Sequence, residues 1–263
     1  MLLALKANAE EVGREAARIV ANAVRRNPEL RLGLATGNTM VGMYKTLVQL
    51  HQREGLDFSR IVTFNLDEYL GLSATHPRSF RYFMEQNFFS HVNLVPSNIH
   101  FPDGSIKNHY EKYCASYEQA IRDAGGIDLQ ILGIGRNGHV GFNEPTSSIG
   151  SRTRLKVLSK DTIDDNRKFF GPQEEIPQCA ITMGIGTILE AKRILLLATG
   201  SPKAAPIAAA IEGPLTASVT ASALQLHPDV TFIVDQQAGA QLKQQEYYRR
   251  VLEMTALLTP DRL

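Results

Sequence analysis

The sequence predicts an α/β fold, with a mainly parallel sheet covered by helices on both faces. Three observations predict it. Short, near-continuous apolar runs such as Arg193–Ala198 (RILLLA) and Val230–Val234 (VTFIV) have the composition of strands buried on both faces. These runs alternate with longer segments of helical periodicity. No linker or low-complexity stretch interrupts the 263 residues, so a single domain over 1–263 is expected.

Taken in order, the elements justify themselves locally. Asn8 can cap a first helix whose apolar positions Val12, Ala16, Ile19 and Ala23 recur at steps of four and three, and Asn27-Pro28 ends it. Leu30–Ala35 is an apolar run that reads as a strand; Thr36-Gly37-Asn38 breaks it and Thr39–Gln49 resumes helical spacing. Arg60–Leu66 is a second strand, Pro77–Phe89 is helical in pattern, and His109–Ala124 is a long helix stopped by Gly125-Gly126. Asp128–Ile134 is a strand, whereas Thr146–Cys179 carries no strong strand signal. Strand Arg193–Ala198, helix Lys203–Ile211, strand Val230–Val234 and a closing helix Gln241–Leu257 complete the alternation.

Composition narrows the function. The apolar fraction of 43% and charged fraction of 21% are those of an ordinary globular protein. A net charge of +1 gives no electrostatic reason to expect nucleic acid or an anionic membrane as partner. The start, Met1–Lys6, has too short an apolar run and no basic flank for a signal peptide, and no stretch is long enough to span a bilayer. Cys114 and Cys179 lie in no paired motif and read as thiols of a reducing compartment, so a soluble, cytoplasmic chain is expected.

The chemistry concentrates at strand ends, where open parallel sheets bind ligands. Four polar exits, Thr36–Thr39, Asn65–Tyr69, Gly135–Glu144 and Thr199–Lys203, should open onto one edge of the sheet. Thr36, Gly37, Asn38 and Thr39 place a glycine and two hydroxyls before a helix, which suits an anion; the same pattern also suits a plain turn capped by Asn38 or Thr39. Leu197–Pro202 (LATGSP) repeats Leu34–Thr39 (LATGNT), as shared strand-to-helix turn physics would produce. Lys203 then stands at a helix start, where a cation is disfavoured unless an anion such as phosphate is bound. Neither loop matches a P-loop or dinucleotide fingerprint, which argues against ATP and NAD.

Asp67 and Glu68 follow a buried strand, where desolvation raises a carboxyl pKa into a usable range. Glu68 reads as a cap for the next turn and Asp67 as the catalytic acid–base. The densest signal is Gly133–Pro145, GIGRNGHVGFNEP, in which glycines frame His139 with Asn137 and Glu144 nearby. A neighbouring carboxylate fixes a histidine's tautomer and raises its pKa. No histidine or cysteine spacing suggests a metal. The basic segment from Thr146 to Cys179, with Arg152, Arg154, Lys156, Arg167 and Lys168, reads either as a solvated face or as a lid over a phosphorylated ligand.

The segments LATGNT, VTFNLDEYLGL, GIGRNGHVGFNEP with SSIGSRTRLKVL, MGIGTIL, ATGSPKA and LQLHPDV resemble the glucosamine-6-phosphate deaminase (glucosamine/galactosamine-6-phosphate isomerase) family over essentially the whole chain. The resemblance implies a Rossmann-like fold and conversion of glucosamine 6-phosphate to fructose 6-phosphate and ammonia, with no cofactor, in amino-sugar catabolism. It implies Asp67 as the enolisation base, His139 as the ring-opening group, and Asn137 and Glu144 as its orienting partners. Phosphate contacts are implied for Gly37–Thr39, Lys203 and a lid cation at Lys168 or Arg167. Many relatives carry aspartate at position 137, and a small residue and proline where Asn38 and Met40 stand. Some members are hexamers activated by N-acetylglucosamine 6-phosphate, so a homo-oligomer is a possibility between monomer and hexamer. Ser147, Arg154 and Lys156 match that effector site, but Val157 replaces a polar residue and weak or absent allostery is expected. A phosphosugar lactonase and a non-catalytic sugar-phosphate sensor are the alternatives.

Overall fold

A computed structural model describes residues 1–258. The expectation of one domain over 1–263 extends past them by residues 259–263, which lie outside the described residues. In chain order, β1 (Leu2–Lys6) leads into α1 (Ala9–Arg26), β2 (Arg31–Leu34), α2 (Asn38–Glu54) and β3 (Val62–Asn65). β4 (Asp67–Tyr69), α3 (Phe80–Asn87), β5 (Ile99–His100), α4 (Tyr110–Asp123) and β6 (Leu129–Leu132) follow. Then come β7 (Arg154–Val157), α5 (Lys160–Asn166), β8 (Cys179–Thr182) and α6 (Ile185–Leu189). β9 (Arg193–Ala198), α7 (Ala204–Glu212), β10 (Val230–Asp235) and α8 (Gln245–Leu258) complete the described chain.

Seven strands form one sheet in the order β1-β10-β9-β6-β2-β3-β5, and every pairing in it is parallel. The apolar runs sit where their composition requires. All of β10, and β9 from Ile194 onward, are buried, because helices cover both faces. α1 starts as expected: the Asn8 side chain accepts from the Glu11 amide at 3.0 Å, and Glu10 and Glu11 complement the helix dipole.

Three features depart from the sequence reading. Met1–Lys6, judged too short for a signal peptide and given no element in the sequence reading, contains β1, an edge strand paired with β10. Thr146–Cys179, read as lacking strands, contains β7 and ends at β8; with β4 these form a separate antiparallel sheet, β4-β8-β7. β7 was hidden because its residues, RLKV, are half-buried to exposed and lack a core-facing run. Finally, neither Asn38 nor Thr39 caps α2. Gly37 is the N-cap, at φ 111° and ψ 164°, with no side-chain cap bond.

That last correction explains the internal recurrence. Gly200, after β9, adopts φ 86° and ψ 156°, nearly the geometry of Gly37 after β2. A positive φ of this kind belongs to glycine. β2 and β9 flank β6 on either side, so two alike turns bracket the loop that follows β6.

Candidate active site

A cleft of about 650 Å³ opens at the carboxyl ends of these strands. All four polar exits reach it: Thr36–Thr39 after β2, Asp67 after β3, Gly135, Arg136, His139, Gly141 and Phe142 after β6, and Thr199 with Lys203 after β9, while Asn137 and Glu144 stand behind the lining. Their convergence follows from the parallel sheet, which brings every strand end to one side.

Asp67 is 7% exposed and begins β4, two residues beyond the end of β3. Burial, reinforced by the adjacent Glu68 charge, pushes its carboxyl up to about 8. Among the described residues no hydrogen-bond donor is paired with that carboxyl. Glu68 has a different task. Its carboxylate accepts from the amides of Tyr69, Phe80 and Arg81 at 2.8–2.9 Å, so it does hold backbone amides, but those of the first turn of α3, whose N-cap is Ser79, rather than of the turn that follows it directly. Burial still pushes Glu68 up to about 7 against those three bonds.

His139 is held from behind. Its Nδ1 lies 2.6 Å from Asn137 Oδ1, which also accepts from the His139 amide at 3.1 Å. An acceptor at that position fixes the proton on Nδ1 and leaves Nε2 as a free acceptor. Asn137 Nδ2 donates in turn to Glu144 Oε2 at 3.0 Å, and that oxygen stands 3.5 Å from His139 Nδ1. Glu144 Oε1 accepts from the Ser159 amide at 3.2 Å, at the start of α5. Burial would raise the Glu144 carboxyl, but Thr162, His139, Asn137 and Ser159 together hold it below its ordinary value. The expected upward shift of His139 is reversed: burial lowers its pKa, Lys203 lowers it further, and Glu144 only partly offsets them. His139 is therefore neutral at pH 7.

Gly135 makes this arrangement possible. A Cβ there would lie 2.3 Å from His139 Cε1 and 2.5 Å from both ring nitrogens. The imidazole thus packs directly on the glycine backbone.

Lys203 has a partner that the sequence did not disclose. Its Nζ donates to the Ile134 carbonyl at 2.6 Å, while burial, Arg136 and Lys168 lower its pKa. Of the two candidate lid cations, Lys168 lines the cleft, whereas Arg167 donates to the Glu174 carbonyl at 3.4 Å and does not line it. Thr162, Asp165, Asn166 and Phe169–Phe170 form the same wall. Phe170 meets Tyr69 edge-on at 5.9 Å within a second, smaller apolar cluster that also holds Phe142 and Ile176. The segment is therefore packed onto the cleft and is more than a solvated basic face.

Ser147, Arg154 and Lys156 lie outside the cleft lining. Arg154 donates to Asn143 Oδ1 at 2.9 Å, and the buried Ser147 hydroxyl has no partner among the described residues. Sequence reasoning missed Arg78 and Arg136, both of which line the cleft. Arg136 lay within the most informative motif, masked by attention to its histidine and glycines.

The family description "Glucosamine-6-phosphate isomerases/6-phosphogluconolactonase" matches residues 4–232. The glucosamine-6-phosphate deaminase of Thermoanaerobacter pseudethanolicus is 50% identical over 240 residues, covering 91% of this chain and 94% of that protein. That of Shewanella woodyi is 47% identical over 251 residues, covering 95% of each. A solved monomeric glucosamine-6-phosphate deaminase superposes with a TM-score of 0.89 at 44% identity, over 92% of this chain and 100% of that one. A 6-phosphogluconolactonase from Trypanosoma cruzi, at 20% identity and a TM-score of 0.71, shares the fold alone. With this coverage added to the converging strand ends, the chain belongs to the glucosamine-6-phosphate isomerase/6-phosphogluconolactonase family.

Proposed function

We propose that this chain is a glucosamine-6-phosphate deaminase, converting glucosamine 6-phosphate and water to fructose 6-phosphate and ammonia. The observation that carries the reading is one cleft holding two separately tuned proton-transfer groups, Asp67 and His139, on different strand ends. The named deaminases at 44–50% identity support it.

The reaction needs both groups. The pyranose must open before the C2 proton becomes acidic. Neutral His139, with Nε2 free, takes the proton of the C1 hydroxyl and returns it to the ring oxygen as the C1–O5 bond breaks. The Asp67 carboxylate then removes the C2 proton and delivers it to C1, while the C2 ammonium gives up one proton and the C1 oxygen gains one to become a hydroxyl. This leaves a C2 imine, which water hydrolyses to the ketone and ammonia. Carbon is oxidised at C2 and reduced at C1 within one molecule, so the step consumes no external oxidant. The ammonium group at C2 of the bound substrate also favours the charged form of Asp67, offsetting its high pKa. The turns at Thr36–Thr39 and Thr199–Lys203, together with Lys168, grip the remote phosphate, whose binding energy holds the open chain in place. The segment approximately 146–179 acts as a lid, belonging with the rest of the described residues, 1–258, to a single domain.

Placement in cytoplasmic amino-sugar catabolism is part of the proposal. It is supported by two free thiols, Cys114 and Cys179. No helix among the described residues is long and apolar enough to cross a membrane. The monomeric relative and the Val157 replacement support weak or absent activation through Ser147, Arg154 and Lys156. A sigmoidal rate curve made hyperbolic by N-acetylglucosamine 6-phosphate would overturn that part.

The principal test is ammonia release from glucosamine 6-phosphate, run beside hydrolysis of 6-phosphogluconolactone. Release of ammonia with no lactone hydrolysis is expected. Lactone hydrolysis without ammonia release would sink the proposal.

A further inference from the structure

Arg136 is a cation in the His139 loop to which nothing above gives a task. We propose that it is a phosphate-binding residue that acts with Lys168 and Lys203, and that Asp165 is its positioning residue. The inference rests on reading the cleft as a phosphosugar site.

The geometry supports it from three sides. Arg136, Lys168 and Lys203 line the same cleft as the two glycine turns after β2 and β9. Lys203 is pinned to the Ile134 carbonyl, two residues before Arg136, so the ammonium and the guanidinium share one loop. Burial, then repulsion from Arg136 and Lys168, lowers the Lys203 pKa, so both of the other cations lie within electrostatic range of Lys203. An uncompensated cluster of this kind is unfavourable unless an anion occupies it. The one carboxylate paired with it is Asp165 on α5, which takes Arg136 through Nε at 2.8 Å and through Nη2. Three cations against one carboxylate leave two positive charges, matching a phosphate dianion.

The pairing also sets the direction of the guanidinium. Asp165 engages Nε and Nη2, and Nη1 has no hydrogen-bond partner among the described residues. A planar fork fixed on one edge presents its remaining donors rigidly. Asp165 belongs to the lid segment and Arg136 to the ring-opening loop, so gripping phosphate joins the two parts.

The test is calorimetric titration of inorganic phosphate into the wild-type protein, R136Q and D165N, with the kinetics of glucosamine 6-phosphate measured alongside. A lost charge-assisted contact predicts phosphate affinity weaker by roughly tenfold to a hundredfold in R136Q. KM should rise by a similar factor while kcat stays within about threefold, and R136K should recover part of the loss. D165N, which keeps the guanidinium charge but loosens its orientation, should weaken phosphate binding by about threefold, clearly less than R136Q, and an unchanged affinity in D165N would remove its positioning role. Wild-type phosphate affinity in R136Q would overturn the assignment. So would an equal loss in R136Q and D165N, which would mark the pair as a lid latch only. If wild-type protein releases no ammonia while the phosphate affinities still separate as stated, the deaminase reading fails and the role of Arg136 stands.

Discussion

Asp67 and Glu144 serve one cleft from nearly equal depth, at 7% and 4% exposure, yet their carboxyls are tuned in opposite directions. Asp67 is pushed up to about 8, and Glu144 is held below its ordinary value. Burial is the largest influence on both, and it raises both. The difference lies in donors. Glu144 receives Asn137 Nδ2, the Ser159 amide and Thr162, and it faces His139. Asp67 receives no such bond among the described residues and faces Glu68 instead. Exposure does not separate the two; the hydrogen-bond donors, together with the fuller enclosure of Asp67, decide which carboxyl stays charged as a support and which can exchange a proton.

The comparison breaks most sharply at Asp67. D67N should lower kcat by about a thousandfold or more, within the range of a lost general base, while phosphate binding persists. Retained turnover would refute the base assignment. The same variant has a second readout. A carboxyl raised in the folded state binds more protons than in the unfolded chain between about pH 4 and 8, so its contribution to stability falls as pH rises through about 8. D67N removes that cost. Its Tm should exceed wild type on the order of 5 °C at pH 9 and match it near pH 4, as calorimetry can check.

Next in size is E144Q. Replacing the charge that faces His139 should lower kcat by about tenfold to a hundredfold and depress the histidine pKa further, read by NMR titration of its ring protons. An unchanged histidine titration would show that Glu144 acts only through packing.

A smaller effect belongs to N137D. Aspartate keeps an acceptor for His139 Nδ1 but loses the donor to Glu144. The histidine pKa should rise, carrying with it to higher pH the limb of the rate profile that needs neutral imidazole. The mildest test uses no variant. In kcat/KM, which reports the free enzyme, the limb that needs ionised Asp67 should lie near pH 8. In kcat it should move to lower pH, because the substrate ammonium stabilises the carboxylate. Coincident limbs would remove that part of the mechanism.

Much of this was legible in the sequence because the relevant physics is local. The apolar runs of β9 and β10, the Asn8 cap and the polar strand exits each announce themselves within a few residues. Glu68 could be read as a cap of backbone amides, although two of the three it holds lie at the start of α3, twelve and thirteen residues on. What escaped depends on distant partners. β4 and β7 are short and become strands only through β8. The lowered His139 pKa depends on enclosure by Lys203 and the surrounding fold, while its sequence neighbour Glu144 argues the other way. The failure of Asn38 as a cap shows the reverse case, in which a glycine backbone makes the turn and leaves the side chain unused.

The position of Asp67 has a consequence for how activity is acquired. The residue stands two residues past the parallel sheet and on the first rung of the antiparallel one, opposite Thr182, which is itself opposite Arg154. It reaches its place only when two sheets and three remote stretches of chain have come together. Contacts so far apart in sequence form late because loop closure must come first. During refolding, helical signal should return well before turnover does, and the recovery of catalysis becomes a reporter for the last seam to close.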